Sequence, residues 1–509
     1  MCTRLSARSR VIHFSRRIVV SAIFFAGPAL QMFAQTDAPA TGKNQQIEQR
    51  LDALMDALNA TRQELTESQA EIHALQRELQ AIKQHGATPD VDVLTSGQPA
   101  TQLADAVAHL QENQDVMQSE VAQHEQSKVE TRSKYPVKIT GLLLFNSFVN
   151  RGAVDHIDAP VLALQRTPDR ANGSTGATMR QTILGFDAVG PSIFGAGSHG
   201  DLRVDFFGGI LSSGYAASEG ILRLRTAHAA LDWPDTHLIA MLDRPIFSPL
   251  TPTSLAVAGI APLAWSGNLW TWLPQIALSQ QIHLGEQQFG IEAGVIDVSD
   301  PPWAYKMPAK PVSAAQRSLY PGTELRLSYS GTGSRGVALG VGGYWSPHLY
   351  DYGQHTNAWA VTADWLLPLP ARMELSGEFY RGLALAGLGG GVYKDTVLFK
   401  PDAEQYSQLQ GLNALGGWGQ LKFRMTDKLE WNVAAGQDNG YASQLKQAQL
   451  DYNNPYASLA RNQTVFGNFI YKPSNYLLFS LEYREMRSWP IYGSSNTAQS
   501  YVLSTAYEF

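Results

Sequence analysis

From Pro136 to Phe509, runs of about ten residues alternate between apolar and polar positions, and Gly, Pro, Asn, Asp and Ser separate the runs. Successive side chains of a strand point to opposite faces, so each run presents one apolar face and one polar face. In YLLFSLEYREMR, Leu477, Phe479, Leu481 and Tyr483 share one face while Ser480, Glu482 and Arg484 share the other. ARMELSGEFY sets Met373, Leu375 and Phe379 against Arg372, Glu374, Ser376 and Glu378, and GQLKFRMT sets Leu421 and Phe423 against Gln420, Lys422 and Arg424. The pattern predicts sixteen strands near 136–150, 177–189, 199–209, 221–233, 236–243, 274–284, 286–297, 321–330, 335–346, 356–367, 371–382, 411–425, 428–437, 463–472, 475–487 and 498–509. Their connections alternate between short (PDT, GEQ, GTGS, LPLP, TDK, KPSN) and long, as a transmembrane barrel with tight turns at one end requires. Only PSIFGAGSHG, between the second and third strands, is longer than its side predicts. Outward aromatics near strand ends (Tyr329, Trp365, Trp431, Tyr471, Tyr483) fit the girdles of such a barrel.

Before Pro136 the period changes. Ile47, Leu51, Leu54, Leu58, Thr61, Leu65, Ser68, Ile72, Leu75, Leu79 and Ile82 fall at alternating spacings of four and three, which predicts an α-helical coiled coil over 44–84. At about 1.5 Å per residue the seam is a rod of about 50 Å. A lone helix cannot bury such a seam, so it calls for copies of itself or for a fold-back onto its own domain. Residues 85–133 read as a linker and a second, weaker helix. At the start, Arg4, Arg8, Arg10, Arg16 and Arg17 precede IVVSAIFFAG with no acidic residue, the pattern of a secretory signal peptide over 1–34. Cleavage is expected after Ala34, with Ala40 as the second choice. The fold class expected for the mature chain is all-β, a 16-stranded antiparallel transmembrane β-barrel over 134–509 preceded by the coiled coil.

Composition and charge narrow the function. The single cysteine, Cys2, lies in the signal, so the mature chain has neither a disulfide nor a cysteine metal site. Beyond the signal no run of about 18 apolar residues offers a membrane helix, so a span would be made of strands. Residues 35–133 hold 7 basic and 16 acidic residues, and the remainder of the chain after them holds 27 and 29. No basic block suggests nucleic acid. A catalytic barrel is the enzymatic alternative, but no Gly-x-Ser-x-Gly elbow, HExxH or EF-hand loop is present, and His124-Glu125 lacks a second histidine. His348 and His355 share a segment without further metal-ligand spacing. No cofactor and no metal is expected.

The chain ends AQSYVLSTAYEF, with Tyr501, Leu503, Thr505, Tyr507 and Phe509 on one face. With the sixteen strands, the loop alternation and the heptad stalk, it resembles the sixteen-stranded trimeric outer-membrane porins of Gram-negative bacteria. Within them it looks most like the substrate-biased porins of the phosphate-selective and dicarboxylate types, some of which carry a periplasmic coiled coil. The resemblance implies an outer-membrane channel for small hydrophilic solutes, surrounded by lipid, assembled as a homotrimer through coiled coil and barrel. It also implies that Tyr507 and Phe509 form the signal read by the barrel-assembly machinery. In that family the loop after the fifth strand folds into the channel and constricts it. Here that loop carries Pro249, Trp265, Trp270 and Trp272, and no charged residue after Arg244.

Strands two to four place Arg180, Arg203, Asp205, Arg223 and Arg225 on the face toward this loop, a cluster that would favour anions in a narrow pore. The alternative role for Arg203 is a pair with Asp205 or with glutamates across the lumen, which would stiffen the wall. The uncharged loop departs from the basic loops of the phosphate-selective relatives. Other functions compatible with the pattern are an outer-membrane tether, with the coiled coil on peptidoglycan, and a barrel enzyme.

Overall fold

The computed structural model of the protein describes residues 136–168, 172–209, 220–299, 312–331, 336–350, 353–399, 408–449 and 454–509. The expected signal peptide, coiled coil and linker helix lie outside the described residues. The alternating segments fold into strands β1 (Val137–Arg151), β2 (Gly173–Thr178 and Ile183–Ile193), β3 (Ala196–Asp205), β4 (Arg223–Asp232), β5 (Thr236–Asp243), β6 (Leu273–Leu284), β7 (Gln287–Ile296) and β8 (Gly322–Gly331). The second half holds β9 (Ala338–Leu349), β10 (His355–Leu369), β11 (Met373–Leu383), β12 (Asn413–Arg424), β13 (Leu429–Gly440), β14 (Leu459–Tyr471), β15 (Leu477–Pro490) and β16 (Asn496–Glu508). The 17 segments form one sheet, and both halves of β2 pair with β1, so sixteen staves result. Every neighbour is antiparallel, and β1 pairs with β16, so the sheet closes on itself. Closure leaves no edge with unpaired backbone groups.

The period of two is written on the two faces. Leu481 (58% exposed), Leu503 (56%) and Leu143 (43%) point outward, while Ser480, Glu482, Ser504 and Leu144, one residue away from them, are buried inside. At the short-turn end Tyr476 stacks on Tyr507 and Tyr507 on Phe509, and higher up Tyr483 meets Tyr501. An apolar outer band between aromatic rings is the surface a bilayer selects. The chain end completes the seam: Phe509 N donates to Gly141 O (3.1 Å) and Gly141 N to Phe509 O (2.9 Å), with the Phe509 ring over the space a side chain at 141 would need.

Two departures from the expected strands have local causes. The second strand starts earlier than expected and is interrupted, because Met179–Thr182 make a turn (Thr182 N to Met179 O, 2.9 Å) that swells it toward the interior. The connection expected to be long is a two-residue turn at Phe194 (φ 50°) and Gly195 (φ 79°), the left-handed pair a tight hairpin needs. A register shift between Val189 and Ser192 absorbs the extra residues. The third strand ends at Asp205, short of the expected 209.

The apolar interior is built by the loops at the opposite end. Residues Leu162, Trp265, Trp270, Tyr393, Leu412, Leu445 and Leu459 form one cluster drawn from four connections and the strand tips beside them. Lys394, buried among them, donates from Nζ to Val392 O (2.8 Å), Tyr456 O (2.9 Å) and Leu459 O (2.7 Å), tying two loops together. Burial pushes its amine down from about 10.5 to about 7, with Asp438 opposing the shift. Because its folded value is depressed, the unfolded chain holds more protons between pH 7 and 10.5, so stability rises with pH across that window. The unfolding midpoint by calorimetry should climb from pH 7 to pH 10 in the wild type, and the climb should flatten in Lys394→Met. Parallel pH curves for the two proteins would show that the ammonium is not what titrates.

Candidate functional site

The site is the barrel interior, and the residues that shape it begin with the segment 244–272 between β5 and β6. Its residues 252–270 are almost all buried, Leu255, Leu263 and Leu269 to 1% exposure or less. Having no charge after Arg244, it offers backbone N–H and C=O groups and hydroxyls, which must find partners once water is excluded. The inner faces of the strands supply them in sequence around the wall.

Carboxylates and amides take the donors. Glu324 on β8 accepts from Ile246 N (3.1 Å), and Glu378 on β11 accepts from Leu250 N (2.6 Å) and Ser248 Oγ (2.7 Å). Gln420 on β12 accepts from Thr253 N (2.6 Å), and Glu482 on β15 from Ser254 Oγ (2.6 Å). Gln181, at the interrupted point of β2, accepts from both Ala258 N (2.6 Å) and Gly259 N (2.8 Å). Amides and guanidinium groups take the carbonyls. Asn146 on β1 donates to Leu255 O and Ala256 O, Asn462 on β14 to Trp265 O, and Arg225 and Arg223 on β4 to Ala258 O and Gly259 O. Arg244 grips the loop's own start, donating to Leu250 O and Pro249 O.

The loop therefore follows the wall from β8 through β15 to β4. It then doubles back at Gly267 (φ 97°), where a Cβ would lie 2.1 Å from Gly417 O on β12. Leu263 and Trp265 also sit in the left-handed region, at φ 58° and 57°. Such residues are held there only where packing over-determines them. Trp265 stacks on Tyr393 at 3.9 Å, and Trp270 meets Trp265 and Trp272 edge-on at 6.3 and 5.5 Å.

The loop covers one side of the lumen and leaves the other open. Inner residues of β14–β1, such as Phe466, Ser500 and Asn146, are buried beneath it. Along β3–β8 the inner wall stays partly exposed at Asp201, Arg203, His228, Asp243, Glu292 and Arg326. These form a lattice of opposite charges. Arg203 pairs with Asp187 (2.5 Å) and Asp201 (3.5 Å), and His228 lies 3.0 Å from both Asp201 and Asp243. Arg326 joins Glu292 (2.9 Å) to Asp364 (2.8 Å).

The arginines read from sequence are brought to this interior, and each has a partner. Arg180 pairs with Asp158 of the first long connection. Arg223 binds Asp205 through Nε (3.0 Å) and Nη2 (2.7 Å), and Arg225 reaches the same carboxylate at 3.3 Å. Asp205 is fully buried. Arg223 and Arg225 also lie over Trp272, at 5.2 and 4.5 Å from the ring centroid. The pair of Arg203 with Asp205 is not formed. A shift in register between Arg203 and Val204 sets Arg223 opposite Asp205, and Arg203 turns to Asp187 and Asp201.

Sequence reading missed the residues that hold the loop, chiefly Gln181, Glu378, Gln420, Asn468 and Glu482. Alternation put most of them on the polar face, but nothing local distinguishes a glutamate facing water from one facing a buried loop. Among the described residues no cluster of histidine, cysteine and carboxylate groups suits a metal ion.

No protein-family model matches the chain, and no curated protein matches it. Among solved structures, the outer membrane channel DcaP of Acinetobacter baumannii is similar with a TM-score of 0.55 and 15% identity, over 74% of this chain and 99% of that one. The anion-selective porin from Comamonas acidovorans gives 0.46 and 10% identity over 74% and 100%, and OprB of Pseudomonas putida 0.43 and 10% over 73% and 94%. The likeness to the first, at 15% identity, is one of fold.

Proposed function

We propose that this chain is an outer-membrane porin, a passive diffusion channel for small hydrophilic solutes rather than an enzyme. The observation that carries the reading is the loop 244–272, uncharged after Arg244, bonded to the inner wall of a closed sixteen-stranded barrel and leaving the wall along β3–β8 open. A barrel of this strand number holds a water-filled lumen, and an inner loop narrows it without chemistry. The neighbouring channel of the same fold supports the reading.

Selection is by width, set by the loop with Pro249, Trp265, Trp270 and Trp272, and by the wall charges. Arg223, the most open of the β4 arginines at 27% side-chain exposure, is the cation best placed to face a solute, with Arg180, Arg203, Arg225 and Arg244 behind it. Because carboxylates match these groups, any anion bias is modest. Assembly as a homotrimer is proposed from the resemblance to the trimeric porins, with the heptad seam as a contact between copies, and Tyr507 and Phe509 are proposed as the barrel-assembly signal. Purified protein should give stepwise conductance in planar bilayers. Folded protein that leaves the bilayer silent would overturn the channel in favour of a tether or an enzyme.

A further inference from the structure

Outside the pore, the outer face of β14 and β15 carries charge where a membrane barrel is expected to turn apolar. Arg487 follows Leu481, Tyr483 and Glu485 on the outward face and is exposed. Across the strand pair, Arg461 sits opposite Trp489 and Gln463 opposite Arg487. Both guanidinium groups lie on the one indole, Arg461 at 4.0 Å and Arg487 at 4.8 Å from its ring centroid. Arg487 Nε also donates to Ser495 Oγ (3.1 Å). Two strands further around, Arg151 faces outward opposite Gln499.

Among the described residues none of these three arginines has a carboxylate within ion-pair distance. The nearby Glu485 is engaged by Tyr483 Oη (2.9 Å) and Gln499 Nε2 (3.4 Å). Like charges repel, so two guanidiniums gathered on one ring without a counter-charge call for an anion from outside the chain.

Height identifies that anion. Arg487 is in register with Thr497, about ten residues above Tyr507 on β16. At about 3.3 Å per residue and a tilt near 40°, this climbs roughly 25 Å, the height of the apolar band of such barrels. The arginines thus stand at the headgroup level of the leaflet on the long-loop side. Under the outer-membrane reading, on which this inference rests, that leaflet consists of glycolipid whose disaccharide carries phosphates.

We propose that Arg461, Arg487 and Trp489, with Arg151 beside them, form a binding site for a phosphate group of the outer-leaflet glycolipid. The guanidiniums bind the phosphate oxygens, and the indole between them holds both in place while its edge meets the sugar and acyl boundary.

The test is native mass spectrometry of the refolded full-length chain in detergent, titrated with bisphosphorylated lipid A, dephosphorylated lipid A, phosphatidylglycerol and inorganic phosphate. A discrete adduct with bisphosphorylated lipid A is expected, weakened at least about tenfold in Arg461→Gln/Arg487→Gln and in Trp489→Leu. The control Arg381→Gln, on a distant strand, should retain it. Equal adducts with dephosphorylated lipid A or phosphatidylglycerol would overturn phosphate recognition on the glycolipid. A change of oligomer mass in the variants would instead make this face a contact between copies and would also overturn the site. Conductance is measured in parallel. Normal channels without the adduct refute this site alone, and an adduct on a silent barrel refutes the channel alone.

Discussion

Removing residues 251–269 and closing the gap with a short flexible linker should raise single-channel conductance at least about twofold, because it clears the material that fills one side of the lumen. The segment holds to the wall through side chains of β12, β14, β15, β1, β2 and β4: Gln420 and Asn468 on Thr253, Glu482 on Ser254, Asn146 on Leu255 and Ala256, Gln181 on Ala258 and Gly259, and Arg225 on Ala258. All of these wall groups are polar, so water can take the loop's place at each, and the antiparallel ladder that closes the barrel is untouched. Leu144, Phe148, Phe466 and Leu478 lose their cover, so the variant should unfold at lower temperature while still folding. The measurement is step size in planar bilayers, with heat-modifiable migration to show a closed barrel. Unchanged steps would move the restriction to what remains of the external cluster, around Trp270, Tyr393 and Leu459.

Much of the barrel was legible because a membrane wall obeys one local rule. Residues 236–243 are read from alternation alone with the same bounds the structure gives, and all sixteen staves are found. The rule fails where a segment keeps the alternation but leaves the plane. Met179, Arg180, Gln181 and Thr182 read as strand, yet they turn inward and carry Gln181 to the loop. Register is equally silent in sequence. Arg203 and Asp205 look like partners on one face, and a single shift beside them sends Arg203 to Asp187 and Asp201. Composition did mark the loop, because a long stretch with three tryptophans and no charge needs cover. It could not show which glutamates provide that cover, since that depends on contacts such as Ser254 with Glu482, more than two hundred residues apart.

Replacing Arg223 and Arg225 together by serine should shift the reversal potential in a salt gradient toward cations, by a severalfold change in permeability ratio. The two arginines and Asp205 carry a net charge of one positive, and the double variant leaves Asp205 alone, one negative. That carboxylate is fully buried and would keep one protein donor, Phe207 N at 3.0 Å, out of the four contacts it has. An unpaired buried charge costs about 3–5 kcal/mol, so the loop end at Ala258 and Gly259 should loosen and let water in. Adding Asp205→Asn separates the two effects. The triple variant removes the stranded charge, so it should recover stability, while its net charge of zero places its reversal potential between wild type and double variant. If both variants keep the wild-type reversal potential, the arginines serve only to clamp the loop, and the selectivity of the pore must come from the open wall, where Arg203 and Arg326 stand among Asp201, Asp243 and Glu292, with Asp187 on β2 and buried Asp364 on β10 completing the lattice. Carboxylates outnumber guanidiniums on that wall, so a pore governed by it would favour cations.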